Sequence, residues 1–232
     1  MANKSNKQVA QTKAEQSADA LLSKTDQFLD KHLKAVITVA SIVVIVVLGF
    51  IGLRHFYVIP KEKNAQDAIF VAENYFAQKQ WANALDGDSI GGIGFIEIID
   101  DFGSTKTGNL AKAYAGICEY QLGNYESALK HLKAYKHKDK VYANIVTGLI
   151  GDCHVELGNI NEGATHFLKA AKSANDDQLS PIYFKKAGIA FENLGKYKEA
   201  VDAYTQIEEK YPNSTEGRNI EKEIIRAKSL IK

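Results

Sequence analysis

The chain has 232 residues, 45% apolar and 25% charged, and a formal net charge of +1. That balance excludes a disordered or fibrous chain, and a nearly neutral body leaves no electrostatic footprint for nucleic acid. Two cysteines, Cys118 and Cys153, are too few for a disulfide framework.

Residues 1–34 form a polar tail with six lysines and four acids. Within it, LLSKTDQFLDKHL (21–33) spaces Leu21, Leu22, Phe28, Leu29 and Leu33 for a short amphipathic helix at a membrane surface. Residues 35–53, AVITVASIVVIVVLGFIGL, carry no charge. At 1.5 Å per residue they span about 28 Å, close to a bilayer's hydrocarbon thickness. A buried core helix would show a polar stripe. A cleaved signal would have a shorter apolar run and small residues before the cut. The reading is a retained transmembrane anchor in contact with lipid. Lys24, Lys31 and Lys34 before it are balanced by Arg54, Lys61 and Lys63 after it, so charge bias leaves the orientation open. Residues 54–63 read as a juxtamembrane connector, with Tyr57 at the interface and Pro60 breaking the helix before a new start near Asn64.

From 64 to 232 the pattern is helical, and one phrase recurs: LGNYESAL at 122–129, LGNINEGA at 157–164 and LGKYKEAV at 194–201. Around each copy, small and large residues fall at fixed offsets. Gly116, Gly151 and Gly188 precede the phrase. Ala128, Gly163 and Ala200 lie inside it. Leu132, Phe167 and Tyr204 follow, then Tyr135, Ala170 and Ile207. A degenerate copy, AQDAIFVAENYFAQKQWANAL, places Ala72 and Ala84 at the small sites. It is interrupted by DGDSIGG, about seven inserted residues, before Phe95 and Ile98 resume the pattern. Thr107 or Asn109 is expected to cap the helix after TKTGN. The last segment, with Ser214 or Thr215 as its cap, reads as a closing helix.

These residues resemble the tetratricopeptide repeat family, whose period is about 34 residues with two helices per repeat. The resemblance implies an all-α fold: a single transmembrane helix, then an α-solenoid of about four helix pairs plus a capping helix. The expected boundaries are 64–108 for a degenerate repeat with an insertion, then 109–143, 144–180 and 181–214 for repeats, and 215–232 for the cap. The small sites let two helices of a pair approach, and the large residue fills the space beside them.

The resemblance also implies a groove lined by the first helix of each pair. Its expected partner-binding residues are Ile69, Glu73 and Phe76, then Leu110, Ala113, Ile117 and Tyr120. Asp152 and Val155 follow, then Lys185, Ile189 and Glu192. Gln66, Ile145, Gly148 and Ile182 complete the helical stripes. Chaperone-binding members hold a terminal carboxylate with a clamp whose sites here are Ala113, Ile117, Leu149, Ile182 and Lys186. One cation among five implies recognition by apolar side chains and hydrogen bonds instead.

Chemistry is sparse. Asp86-Gly87-Asp88 lacks the later ligands of a calcium loop. GSTKTG (103–108) lacks the residue order of a phosphate loop. Cys118 and Cys153 read as buried thiols one repeat apart, and the histidines at 32, 55, 131, 137, 154 and 166 form no triad by spacing. No enzyme, cofactor or metal is expected. The layout is similar to that of the YfgM-like ancillary subunits of the bacterial SecYEG translocon. This implies an inner-membrane protein with a cytoplasmic N-terminus and a periplasmic repeat domain that binds proteins or extended peptides, among them the translocon and periplasmic chaperones. Two other readings stay open: a structural subunit that pairs with itself or a fixed envelope complex, and a cytosol-facing receptor for targeting peptides.

Overall fold

The structure is a computed structural model that describes residues 33–231, apart from 36, 90 and 137–139. The amphipathic helix expected at 21–33 lies outside the described residues except for Leu33. The chain divides into two compact units, Met1–Pro60 and Lys61–Lys232.

In the first unit, residues 37–53 form helix α1. The most apolar 18-residue window has a mean hydropathy of 3.0, and none of it is buried. By length and composition this is the one candidate span among the described residues. The Thr38 hydroxyl donates to the Lys34 carbonyl at 2.8 Å, which removes its polar cost inside an apolar helix. Pro60 does not break the chain's helical course. A π-turn covers Arg54–Val58, and the Ile59 N–H bonds to the Arg54 carbonyl. A widened turn accommodates a residue that has no N–H to give. The stretch 54–63 is therefore helical, and α2 runs over Ile59–Ala77.

The second unit continues with α3 (Trp81–Asp86), α4 (Phe95–Phe102), α5 (Lys106–Gln121), α6 (Tyr125–Ala134), α7 (Lys140–Glu156), α8 (Ile160–Ala174), α9 (Leu179–Asn193), α10 (Tyr197–Lys210) and α11 (Ile220–Ser229). Consecutive helices from α5 to α11 pack on one another, and α7 also touches both α5 and α9. The first helices of successive pairs thus stand side by side and form one wall. The described residues contain no strand, only an isolated bridge between Gly87 and Ile93.

The recurring phrase encodes one turn and one close crossing. A Cβ on Gly116 would lie 2.5 Å from Leu132, one on Gly151 2.7 Å from Phe167, and one on Gly188 2.2 Å from Tyr204. Each large residue of the second helix therefore occupies the space that glycine leaves on the first. Gly123, Gly158 and Gly195 have φ of +83°, +80° and +69° with open space around them, so their role is conformational. In each turn the next N–H reaches back: Asn124 to Glu119, Asn159 to His154 and Lys196 to Phe191, at 2.8–2.9 Å.

The degenerate repeat makes the same turn with the wrong residue. Lys79 has φ +59°, its N–H bonds to Phe76, and Gln80 N–H bonds to Tyr75. A side chain in the left-handed region costs about 1–2 kcal/mol, partly offset by the lower backbone entropy cost of a non-glycine residue. Lys79→Gly should therefore stabilise the domain by about 0.5–1 kcal/mol in urea unfolding, whereas unchanged or reduced stability would show that this turn is not strained.

The insertion after α3 folds onto itself. The Asp88 carboxylate accepts from the Tyr75 hydroxyl, and its Oδ1 accepts from Gly92 N–H at 2.8 Å. Asp88 closes a turn here. Beyond it Phe95 and Ile98 are fully buried, where the uninterrupted repeats bury Leu132 and Tyr135.

Candidate protein-binding wall

The cap of α5 is Thr105, not Thr107 or Asn109: its side chain accepts from Gly108 N–H at 2.9 Å. Thr107 instead donates its hydroxyl to Glu62, whose carboxylate also takes the Lys106 and Thr107 N–H groups at 2.7 and 3.2 Å. Burial works to raise the Glu62 pKa, but these hydrogen bonds outweigh it and hold the carboxyl below its ordinary value. The GSTKTG segment therefore holds an anion, and that anion is the protein's own. Asn109 clips α5 to the end of α6 by exchanging two hydrogen bonds with the Lys136 backbone.

The twelve residues expected to line a groove separate into distinct environments. Ile69 and Ala113 are 5% and 3% exposed and belong to the core. Neighbouring helices cover them. Phe76 sits in an aromatic cluster with Trp81, Phe95 and Tyr114, at ring-centroid distances of 4.8–6.1 Å. Glu73 lies beside the Tyr114 hydroxyl. Leu110 borders a cavity of about 330 Å³ between the start of α5 and the end of α6. Ile117 and Tyr120 are half-buried. Val155 is turned onto Gly163, where an added Cβ would lie 2.5 Å from its methyl.

The wall is most open on α7 and α9. Ile145, Ile182 and Ile189 are 37%, 38% and 45% exposed. Lys185 is partly exposed beside them. Asp152 is bound by Lys186 at 2.8 and 2.9 Å, one distance to each carboxylate oxygen. Burial raises the Asp152 pKa, and the Lys186 contact opposes that rise. Glu192 is bound by Arg226 of α11 at 2.7 Å, and Arg226 also meets Glu223 at 2.5 Å. Sequence reasoning missed both cross-repeat pairs. Their signal was present: Asp152 and Lys186 are 34 residues apart, as are Glu192 and Arg226. An acid and a base about one repeat apart on stacked helices come within reach of each other.

The tetratricopeptide repeat family profile matches residues 184–214, the end of α9 through α10 and the turn beyond it. Residues 184–214 match a tetratricopeptide repeat. The chain is also similar to a TPR repeat-containing protein of Methanocaldococcus jannaschii, with 29% identity over 119 residues. That alignment covers 51% of this chain and 20% of the relative.

Within the helical repeats the thiols are packing residues. Cys118 and Cys153 are fully buried in separate core clusters. Burial is the main cause that pushes both thiols up to about 12, so the nucleophilic thiolate is scarce at neutral pH. Among the described residues no three His, Cys, Asp or Glu side chains are grouped to hold a metal ion.

Two histidines meet where spacing suggested scatter. His154 of α7 and His166 of α8 stack with centroids 5.4 Å apart, and both Nδ1 atoms are buried without a hydrogen-bond partner. Burial lowers the pKa of both, with Lys133 assisting at His154, and His154, Lys169 and Lys133 assisting at His166. Burial also lowers His131, against the pull of Glu119 and with help from Lys130. An imidazole whose folded pKa is depressed contributes stability above its unfolded value of about 6.5 and loses it as pH falls through the folded value. The thermal midpoint should therefore drop between about pH 7.5 and 5.5. A His154→Gln, His166→Gln double variant should flatten that slope, and an unchanged slope would assign the effect elsewhere.

Proposed function

We propose that this protein is a membrane-anchored, non-catalytic scaffold that binds other proteins through the α5–α7–α9 wall and assists secretion or envelope assembly. The observation that carries the reading is the row Ile145, Ile182 and Ile189, which stays exposed on a wall whose other apolar residues are mostly covered. Exposed branched side chains in a repeat built for packing are where a partner gains most from burial. The exposed, uncharged α1 supports a single span in lipid. The resemblance of the sequence layout to the YfgM-like subunits is the basis for proposing an inner-membrane location, a cytoplasmic N-terminus and a periplasmic repeat domain, with translocating or unfolded envelope proteins, the translocon and periplasmic chaperones as partners.

A photo-crosslinker at Ile189 in intact membranes tests the wall. Adducts should form with secreted or envelope proteins and should be lost when Ile182 is replaced by aspartate. Adducts only with a second copy, or with one fixed subunit whatever the substitution, would make the protein a structural component. Protease added to spheroplasts should digest the repeat domain. A repeat domain left whole while a periplasmic control is cut would place it in the cytosol, as a receptor for targeting peptides.

A further inference from the structure

We infer that the α7–α9 wall takes an uncharged, apolar segment of a partner protein, because Lys186 and Arg226, the cations best placed to select an anionic end, are already paired within the chain. The inference rests on the wall being the binding surface. Lys186 is the one cation among the five clamp sites. Both oxygens of Asp152 hold its ammonium, which also lies 5.5 Å from the centre of the Phe167 ring. Arg226, the cation at the next repeat, is divided between Glu192 and Glu223. An incoming carboxylate would have to displace a carboxylate fixed by the fold, which has no translational freedom to lose.

The field around Tyr120 points the same way. Its hydroxyl pKa is pushed up to about 12, first by burial and then by the nearby Asp152 and Glu156 carboxylates. With Asp152 paired to Lys186, an anion laid along α7 would still meet the Glu156 carboxylate. Lys185 remains as a single, partly exposed cation between Ile182 and Ile189, and a cation screened by solvent is a weak anchor. With the ion pairs satisfied inside the wall, Ile145, Ile182 and Ile189 are exposed apolar side chains that gain from contact.

The test uses the full chain in lipid nanodiscs with empty discs subtracted. The probes are fluorescent ten-residue peptides of alternating leucine and serine, ending in either a free carboxylate or an amide. The two forms should bind within about threefold of each other, with affinity unchanged or stronger from 50 to 500 mM NaCl. Ile189→Asp should weaken both by about tenfold or more while helicity by circular dichroism is retained. A carboxylate form that binds tenfold tighter than the amide, or binding abolished by salt, would overturn the uncharged occupant and leave the wall as the binding surface. Equal peptide binding by the wild type and the Ile189→Asp variant would overturn the wall itself. So would the absence of binding together with a dimer that Ile189→Asp converts to monomer, since a second copy would then occupy the wall.

Discussion

Replacing Gly188 by alanine should destabilise the repeat domain by about 2–3 kcal/mol, an overpacking cost from a single added carbon. The new Cβ would lie 2.2 Å from Tyr204 Cε1, and Tyr204 is fully buried, so its ring has no path to solvent. Helix propensity alone would favour alanine over glycine by about 1 kcal/mol, so the sign of the effect identifies packing as the cause. Gly195→Ala provides the comparison. It sits in open space at φ +69°, and its cost should be about 1 kcal/mol, from the left-handed backbone alone. The decisive measurement is a double-mutant cycle by urea unfolding. In a Tyr204→Ala background the Gly188→Ala cost should disappear or reverse. Equal costs in both backgrounds would show that the glycine is not there to admit the ring.

If α1 spans lipid as proposed, arginine at both Val43 and Val46 should abolish stable membrane integration. These positions lie in the middle of α1, where each arginine costs about 2.5–3.5 kcal/mol on the insertion scale, against a gain of a few tenths per valine. The combined penalty of about 5–7 kcal/mol exceeds what the remaining apolar residues of a single helix can offset with margin. The variant should move from the carbonate-resistant pellet to the supernatant, and the same pair of substitutions at exposed sites on α10 should leave fractionation unchanged. A doubly substituted α1 that remains in the pellet would mean that the protein is held by its partners rather than by lipid. Loss of the variant to proteolysis would be separated from release by following a pulse-labelled chain.

The residues that form the crossings were legible in the sequence because they follow from a local rule repeated in register. Gly116, Gly151 and Gly188 oppose Leu132, Phe167 and Tyr204 as the spacing required. The insertion of about seven residues was legible for the same reason, since Phe95 and Ile98 returned to the buried positions after it. The turn at Lys79 was less so: a lysine at a glycine position obscured a conformation that the neighbouring hydrogen bonds impose.

The wall was only partly legible. Helical periodicity identified the stripe on each first helix, but periodicity describes one helix at a time. Whether a stripe residue meets a partner, a neighbouring helix or an opposite charge depends on how far adjacent helices are shifted and how closely they approach. That separated the covered Ala113 from the exposed Ile189, although both hold stripe positions. It also brought Glu62 to the start of α5 across 44 residues of chain, a contact with no local signal.

The sequence by itself determined the helical repeat, the close crossings and the uncharged span of α1, because each depends on side-chain size or polarity at short range. Only the tertiary structure decided which stripe residues are open, which acids and bases cancel, and that His154 and His166 stack with buried Nδ1 atoms. Those outcomes depend on distances between residues a full repeat or a helix pair apart, and such distances are set by the packing of the whole array.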